Sequence, residues 1–451
     1  MNIIPAMTIG GSDPSGGAGI QTDIKTFQSL GLHPLSIITS ITVQNTQVVK
    51  NIIPMEPHVI QHQIDTIMED IPVQFVKTGL LYESAIAKEV AHAYERYKWD
   101  LVVDPVLIAT SGDTLASSDL KQDIKKILLP ISRVITPNIP EAETLTNTHI
   151  ETVDDMKNAA KKIHSFGAEN VIVKGGHLSG STAYDVLYDG TTITVLSLPK
   201  IPQRKAHGSG CTFSALLTGY LAKGLTIHTA FSQAKSALWQ MIHTGYNIGK
   251  GSDVLHVSLT AVQDAPINLQ TPDHAETWIK LFEIVSALPK TLPTSFIPEV
   301  GCNIGYALPH AKTRNDVCAI DGRIVRTNTG PHRCGPLRFG ASKHIASIIL
   351  VTIRKYPTIR SAMNIKYTPS VLSLCKKTDL SIASFHREEE PKHVSSTMDW
   401  GTTTALNTLD VCPDIIYDVG GVGKEPMIRI LGTDPQDVMT KLKSISNVVS
   451  E

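Results

Sequence analysis

Val73–Gly79 reads VQFVKTG, a short apolar run that ends on a lysine, a threonine and a glycine. Three runs of the same kind follow at intervals of about 30 residues: Leu101–Pro105 (LVVDP), Arg133–Asn138 (RVITPN) and Asn170–Gly176 (NVIVKGG). Between them lie stretches with helical spacing, among them Ser84–Tyr97 and Thr152–Phe166. Continuous apolar strands alternating with helices predict βα units around a buried parallel sheet. Ligands of such sheets collect beyond the carboxyl ends of the strands. Lys77, Asp104, Asn138 and Lys174 should therefore share one edge.

Two glycine-rich segments flank this array. Gly10–Gly19 (GGSDPSGGAG) follows a short apolar run and precedes a helical stretch. Its glycines let a backbone approach a ligand closely, although a plain turn is the competing reading, and no Walker A lysine follows. His207–Phe213 (HGSGCTF) stands directly before the apolar helical segment Gly210–Gly224. The amides of Gly208, Ser209 and Gly210 would there form an anion site at a helix N-terminus. Cys211 would occupy the first turn, where the dipole lowers a thiol's pKa; a small buried cysteine is the bland alternative. Asn138 and Glu141 make an N-x-x-E pair after a strand. Such a pair organises Mg²⁺ directly or through its waters, or simply caps a helix.

Composition bounds the rest. A chain of 451 residues with 42% hydrophobic and 18% charged residues is folded, in two or three domains. No window approaches the roughly 18 apolar residues of a membrane span, and the opening MNIIPA lacks the basic stretch of a signal peptide. Six cysteines contain no C-x-x-C pair, so reduced thiols and a cytoplasmic location are expected. The net charge of −1 hides an asymmetry: residues 301–360 hold ten Lys/Arg against Asp316 and Asp321, a balance of +8, which leaves −9 elsewhere. Those basic residues lie among turns such as TGPHRCGP (329–336) and lack interleaved aromatics. A folded pocket for anions is favoured over a solvated or nucleic-acid-binding face. The segment Asp418–Pro426 (DVGGVGKEP) is either a further phosphate cradle or a tight turn.

A polar stretch with two prolines, AVQDAPINLQTPD (261–273), reads as a linker. We expect one domain over 1–262, a linker over 263–272 and a second domain over 273–451. Ala275–Leu288 should form a helix capped by Asp273, and Gly210–Gly224 and Ile227 to about Thr244 two more. Strands are expected at Ile345–Ile353, Ser381–Ser384, Ile415–Val419 and Ile428–Leu431.

GSDPSGGAGIQTDIKTF (10–27), TVQNT (42–46), KTG (77–79), VVDPV (102–106), TPNIPEAE (136–143), VKGGH (173–177) and HGSGCTFSA (207–215) together resemble the hydroxymethylpyrimidine/phosphomethylpyrimidine kinases of thiamine biosynthesis. The resemblance covers about residues 1–258. It implies an α/β, ribokinase-like fold with a mostly parallel sheet flanked by helices, and two successive phosphoryl transfers that use ATP and Mg²⁺. It also implies Cys211 as base or hydroxyl-positioner and Gly208, Ser209 and Gly210 as the anion hole. Gln44 would read the pyrimidine, with Gly11 and Asp23 in the same pocket. Lys174 would serve the nucleotide phosphates, and Asn138 and Glu141 the metal. A pyridoxal-type kinase is the alternative.

In the second half, NIGYALPHA (303–311), DGRIV (321–325), GPLRFGASKHIA (335–346), MDWG (398–401) and YDVGGVGKEPMIRILG (417–432) resemble the ThiN-type thiamine-phosphate synthases. The resemblance implies a smaller α/β domain with Arg323 and His344 as its functional pair and Arg338 and Lys343 at substrate phosphates. Asp418, Lys424 and Glu425 are further guesses at substrate- or metal-facing groups. The alternative is an effector-sensing domain without synthase activity. Small-molecule substrates, no nucleic acid, no membrane and a homo-oligomer complete the expectation.

Overall fold

Val102, Val134 and Ile172 belong to one hydrophobic core, while their chain neighbours Leu101, Val103, Ile135, Val171 and Val173 belong to another. The apolar runs are continuous because each strand is covered on both faces. The computed structural model describes residues 3–107, 118–201, 206–258, 271–391, 397–407, 410–421 and 423–447. The chain divides into two compact units, Met1–Asn268 and Leu269–Glu451.

In the first unit, nine strands form one sheet: β1 (Pro5–Ser12), β2 (His33–Gln44), β3 (Val49–Pro54), β4 (Phe75–Thr78), β5 (Asp100–Val103), β6 (Val134–Ile135), β7 (Asn170–Gly175), β8 (Thr182–Tyr188) and β9 (Ile193–Pro199). Their order is β3-β2-β1-β4-β5-β6-β7-β8-β9. The central strands from β2 to β7 run parallel, and β3, β8 and β9 extend the edges antiparallel. The four apolar runs are thus β4 to β7, side by side in chain order. Helices Ser84–Tyr97 and Val153–His164 cover one face through Ile86, Val90, Met156 and Ala160. Helices Ser209–Ala222 and Ile227–His243 cover the other through Phe213, Leu216, Phe231 and Ala234. A short parallel pair, β10 (Ala206–His207) and β11 (Asp253–Val254), leads into the Ser209 helix.

The second unit carries β12 (Ile304–Ala307), β13 (Val317–Ile320), β14 (Arg323–Thr327), β15 (Gly330–Cys334), β16 (Leu337–Phe339), β17 (Ser361–Lys366), β18 (Ile382–Ser384), β19 (Ile415–Asp418) and β20 (Met427–Gly432). Seven of them form a sheet ordered β16-β13-β12-β17-β20-β19-β18, with β14 and β15 as a separate hairpin. Its pairs are antiparallel except β18 with β19. Helix Lys343–Lys355 lays Ile345, Ile348 and Ile349 against Ala362, Ile416 and Leu431 of this sheet.

That helix corrects one expectation, because Ile345–Ile353 was read as a strand. An apolar run of nine residues suits either a buried strand or a buried helix. Here Ser342 caps the run by accepting from the Ile345 N–H, and tertiary packing decides. The helix expected over Ala275–Leu288 spans Pro272–Thr291, with Thr271 rather than Asp273 as its cap. Pro272, assigned to the linker, is therefore the first helical residue, a position where its missing N–H costs nothing. Residues 263–270 of the expected linker lie outside the described residues.

Candidate active sites

The two glycine-rich loops of the first unit meet backbone to backbone. Gly208, the cap of helix Ser209–Ala222, has φ +81°, and a Cβ there would lie 1.9 Å from the Gly17 carbonyl oxygen. Gly19 has φ +59°, and its Cβ would lie 2.4 Å from the Gly11 carbonyl oxygen. Gly11 itself is buried at a bulge of β1, where a Cβ would meet the Ser40 hydroxyl at 2.8 Å. No side chain caps the Ser209 helix, so its first N–H groups are open to an anion. The Gly19 N–H is directed at the Cys211 sulfur, tying the loops at the half-buried cysteine.

The carboxyl edge of the sheet brings the expected charged residues together as pairs. Lys77 Nζ lies 2.7 Å from Asp23 Oδ2, which also accepts from the Thr8 hydroxyl at 2.6 Å. Lys174 Nζ lies 3.0 Å from Asp104 Oδ1, and Ser214 donates to Asp104 Oδ2 at 3.1 Å. Asp23, expected in the pyrimidine pocket, is 1% exposed; its Oδ2 is committed to Lys77 and its Oδ1 has no hydrogen-bond partner. It acts on the site by holding Lys77. Burial opposes the charge on Lys77, yet the fields of Asp23, Cys211 and Asp104 keep the ammonium above its usual range.

Cys211 departs from the sequence expectation in the opposite direction. Burial pushes its thiol up to about 11, Asp104 and Asp23 add to this, and Lys77 opposes it. The helix N-terminus does not outweigh that burial. Lys174, at the Gly210 backbone, closes the other side: a Cβ on Gly210 would stand 3.3 Å from its Nζ.

Asn138 and Glu141 form a reciprocal capping box on helix Ile139–Thr146: Glu141 N–H donates to Asn138 Oδ1 at 2.9 Å, and Asn138 N–H to Glu141 Oε2 at 2.8 Å. Their second role is electrostatic. Burial lifts the Glu141 carboxyl to about 8, with Asp104 adding and Lys174 opposing. Largely protonated at neutral pH, that carboxyl would ionise beside a hydrated divalent cation, which Glu141 and Asp104 could hold through water. Among the described residues no group of three His, Cys, Asp or Glu forms a ready cation cage, so phosphate oxygens and water would have to supply most ligands.

Gln44 ends β2 and points to His207, whose Nε2 lies 3.1 Å from Gln44 Nε2 and 3.1 Å from Asp13 Oδ2. Asp13 also accepts from Ser15 N–H and hydroxyl and from Ala18 N–H. Asp13 and His207 were not singled out in the sequence. They join the first loop, the second loop and Gln44 in one network, which no local spacing betrays because the partners lie up to 194 residues apart.

In the second unit, Arg323, Lys343 and His344 line one cleft of about 500 Å³, together with Arg387 and Lys424. Arg323 is aimed by a bond from Nη1 to the Val300 carbonyl at 2.7 Å. Desolvation and the guanidiniums of Arg429 and Arg387 push the His344 imidazole down to about 4, with Asp418 opposing. Arg338 does not line the cleft; it stands on β16, 3.4 Å from Asp321. Of the basic window, Arg323 and Lys343 reach the cleft, whereas Arg360 is bound to the Ala307 carbonyl. Asp418, guessed to face a ligand, is fully buried on Arg387 and Arg429. Gly421 and Lys424 exchange backbone hydrogen bonds, as the turn reading of this segment expects, and Gly423, Lys424 and Glu425 line the cleft. Glu425 accepts from the N–H groups of Glu299 and Val300 and so braces the opposite wall.

Comparison with known proteins assigns both units. The phosphomethylpyrimidine kinase family model matches residues 13–256, and the thiamine-phosphate synthase ThiN model matches residues 280–444. The bifunctional thiamine biosynthesis protein ThiDN of Methanocaldococcus jannaschii is 32% identical over 449 residues, covering 98% of each chain. The hydroxymethylpyrimidine/phosphomethylpyrimidine kinase of Bacillus subtilis is 42% identical over 253 residues, 56% of this chain and 93% of that one. Among solved structures, the pyridoxal kinase from Staphylococcus aureus in complex with AMP-PCP and pyridoxal superposes with a TM-score of 0.54 at 32% identity, covering 58% of this chain and 97% of that one.

The loop contact generates a direct test. Gly208→Ala forces a Cβ into the Gly17 carbonyl and an unfavourable backbone region. It should lower turnover of the first unit by about 10²- to 10³-fold, the range for losing one preorganised donor. Steady-state phosphorylation assays on the variant measure this, and wild-type rates would show that the loops do not depend on each other.

Proposed function

The chain belongs to the family of bifunctional thiamine biosynthesis proteins in which a phosphomethylpyrimidine kinase precedes a ThiN-type thiamine-phosphate synthase, and from that premise we propose how its two sites divide the work. The kinase phosphorylates hydroxymethylpyrimidine to the monophosphate and then the diphosphate. The synthase joins the diphosphate to hydroxyethylthiazole phosphate and releases pyrophosphate. The observation that carries the kinase assignment is the seating of Gly208 on Gly17, which leaves an uncapped helix N-terminus beside Cys211, Lys77 and Lys174.

Phosphoryl transfer rests mainly on positioning and charge neutralisation. The N–H groups of Ser209, Gly210 and Cys211 face the transferred phosphoryl group, and Lys174 faces the phosphates of ATP. A thiol raised to about 11 is protonated at neutral pH, so Cys211 positions the attacking hydroxyl by hydrogen bonding rather than acting as its base. Gln44, held by His207, reads the pyrimidine edge through its amide. Mg²⁺, when bound, neutralises phosphate charge; Asp104 and Glu141 would hold it through water.

In the synthase, the carbon–oxygen bond to diphosphate breaks with its electron pair on the leaving group, and the thiazole nitrogen then bonds to the cation-like methylene. Arg323 and Lys343 stabilise the departing charge. His344, kept neutral by its surroundings, adds no charge to the cation-like centre. The presence of Arg323 and His344 on one cleft supports catalysis over a sensor role.

A homo-oligomer is supported by an apolar face on the β2–β3 edge. Ile41 pairs with Ile53 across the hairpin, and Ile41, Ile53 and Val43 are 46%, 48% and 44% exposed. Six free thiols support a reducing compartment such as the cytoplasm. No helix among the described residues is long and apolar enough to cross a membrane.

The full chain with ATP, Mg²⁺, hydroxymethylpyrimidine and hydroxyethylthiazole phosphate should yield thiamine phosphate, followed by mass. Cys211→Ala should slow phosphorylation by about 10²- to 10⁴-fold and leave condensation of supplied diphosphate intact. Arg323→Ala and His344→Ala should do the reverse; kinase loss in either would overturn the division. The His344 imidazole resonance, assigned by its disappearance in His344→Gln, should not titrate between pH 8 and 5.5 in ligand-free protein. Protonation near 6.5 would show that the guanidiniums do not act on it. Light scattering should find an oligomer for wild type and a monomer for an Ile41→Glu, Ile53→Glu double variant; equal masses would remove the hairpin as the interface.

A further inference from the structure

Arg387 is isolated in the sequence, at the start of the short turn Arg387–Glu389 after β18, and no motif points to it. In the structure its side chain is 9% exposed and lines the same cleft as Arg323, Lys343 and His344. Its Nε donates to Asp418 Oδ1 at 2.6 Å and its Nη2 to Asp418 Oδ2 at 3.2 Å. Those contacts use one edge of the guanidinium. Nη1 has no hydrogen-bond partner among the described residues, and the Nη1–Nη2 edge remains for a second planar or phosphate acceptor.

The carboxylate that holds Arg387 is itself fully committed. Asp418 is 0% exposed and also accepts from the Gly420 N–H at 2.9 Å and from Arg429 Nη2 at 2.8 Å. One negative charge is thus shared by two guanidiniums, and the one that borders the cleft is rigidly aimed before any ligand arrives. A buried arginine with an unspent edge, lining the same cleft of about 500 Å³ as Arg323 and Lys343, is suited to a multiply charged anion. A purely structural clip for Asp418 would need no opening to the cleft.

We propose that Arg387 is a diphosphate-binding residue of the synthase cleft, engaging the leaving pyrophosphate of the pyrimidine substrate through its Nη1–Nη2 edge. This rests on the synthase reading. Asp418 is then a positioning residue that fixes the fork, and the thiazole phosphate is held elsewhere in the cleft.

The test uses the full chain, Arg387→Met and Arg387→Lys, with hydroxymethylpyrimidine diphosphate supplied directly. Arg387→Met should raise KM for the diphosphate and the inhibition constant of inorganic pyrophosphate by about 10- to 100-fold, the worth of one charged hydrogen-bonded contact. KM for hydroxyethylthiazole phosphate and the kinase rate should stay within about twofold, and Arg387→Lys should recover only part of the loss because it lacks the fork. If Arg387→Met unfolds the unit, Arg387→Lys, which keeps the charge beside Asp418, decides the matter by the same constants. Unchanged pyrophosphate inhibition with a lowered kcat would leave Arg387 a structural clip and overturn the proposal. A shift in the thiazole phosphate KM instead would also overturn it. Should wild type form no thiamine phosphate, the synthase reading falls. Calorimetric binding of pyrophosphate, with the kinase nucleotide site filled by ADP, then judges Arg387 alone: loss of binding in Arg387→Met keeps the anion site, and equal binding ends it.

Discussion

The contact of Gly208 with the Gly17 carbonyl is the constraint on which the first site depends. Nothing larger than hydrogen fits between the two loops, and the left-handed backbone at Gly208 turns the chain directly into the Ser209 helix. Because this end has no side-chain cap, its unsatisfied N–H groups face whatever lies beyond the sheet edge rather than the protein itself. A serine or aspartate cap would gain only about a few tenths of a kcal/mol over glycine and would cover the open N–H groups. The site therefore forgoes little local helix stability, and the helix is held by burial of residues 212–222 in the core.

Charge at this edge is arranged in layers. Asp23 holds Lys77 and Asp104 holds Lys174, so neither lysine is a mobile counter-ion. Replacing either carboxylate would leave a buried ammonium without its partner, a change that costs about 3–5 kcal/mol. Burial raises the Cys211 thiol, and Asp104 and Asp23 add to it; burial likewise lifts the Glu141 carboxyl to about 8, with Asp104 adding.

How much of this was legible depended on whether partners lie close in sequence. The strands β4 to β7 were, since burial on both faces writes itself as a continuous apolar run. Cys211 and Glu141 were visible through their loops, but the sign of the cysteine's shift was not, because it is set by burial in the fold, with Asp104 and Asp23 adding from distant segments. The same holds for Asp23, whose motif suggests a ligand while its burial makes it a partner for Lys77. Ile345–Ile353 failed because β-branched residues in an apolar run satisfy both periods at once. Nothing in the sequence marks Arg387; only Asp418, 31 residues on, turns it inward.

Both sites place their reactive side chain in the first turn of a helix whose cap has positive φ, and the difference between the caps is instructive. Gly208, at +81°, is compelled by the neighbouring loop. Ser342, at +49°, is not a glycine, and a residue with a Cβ in this region costs about 1–2 kcal/mol. Its hydroxyl recovers part of that by capping the Ile345 N–H, and the turn it makes delivers Lys343 and His344 to the cleft. A relaxed cap would rotate the first turn and carry both residues away from Arg323 and Arg387. The strain at Ser342 is thus the local counterpart of the close approach at Gly208: in each unit a left-handed cap, free of cost only for glycine, turns the chain into the helix whose first turn lines the site.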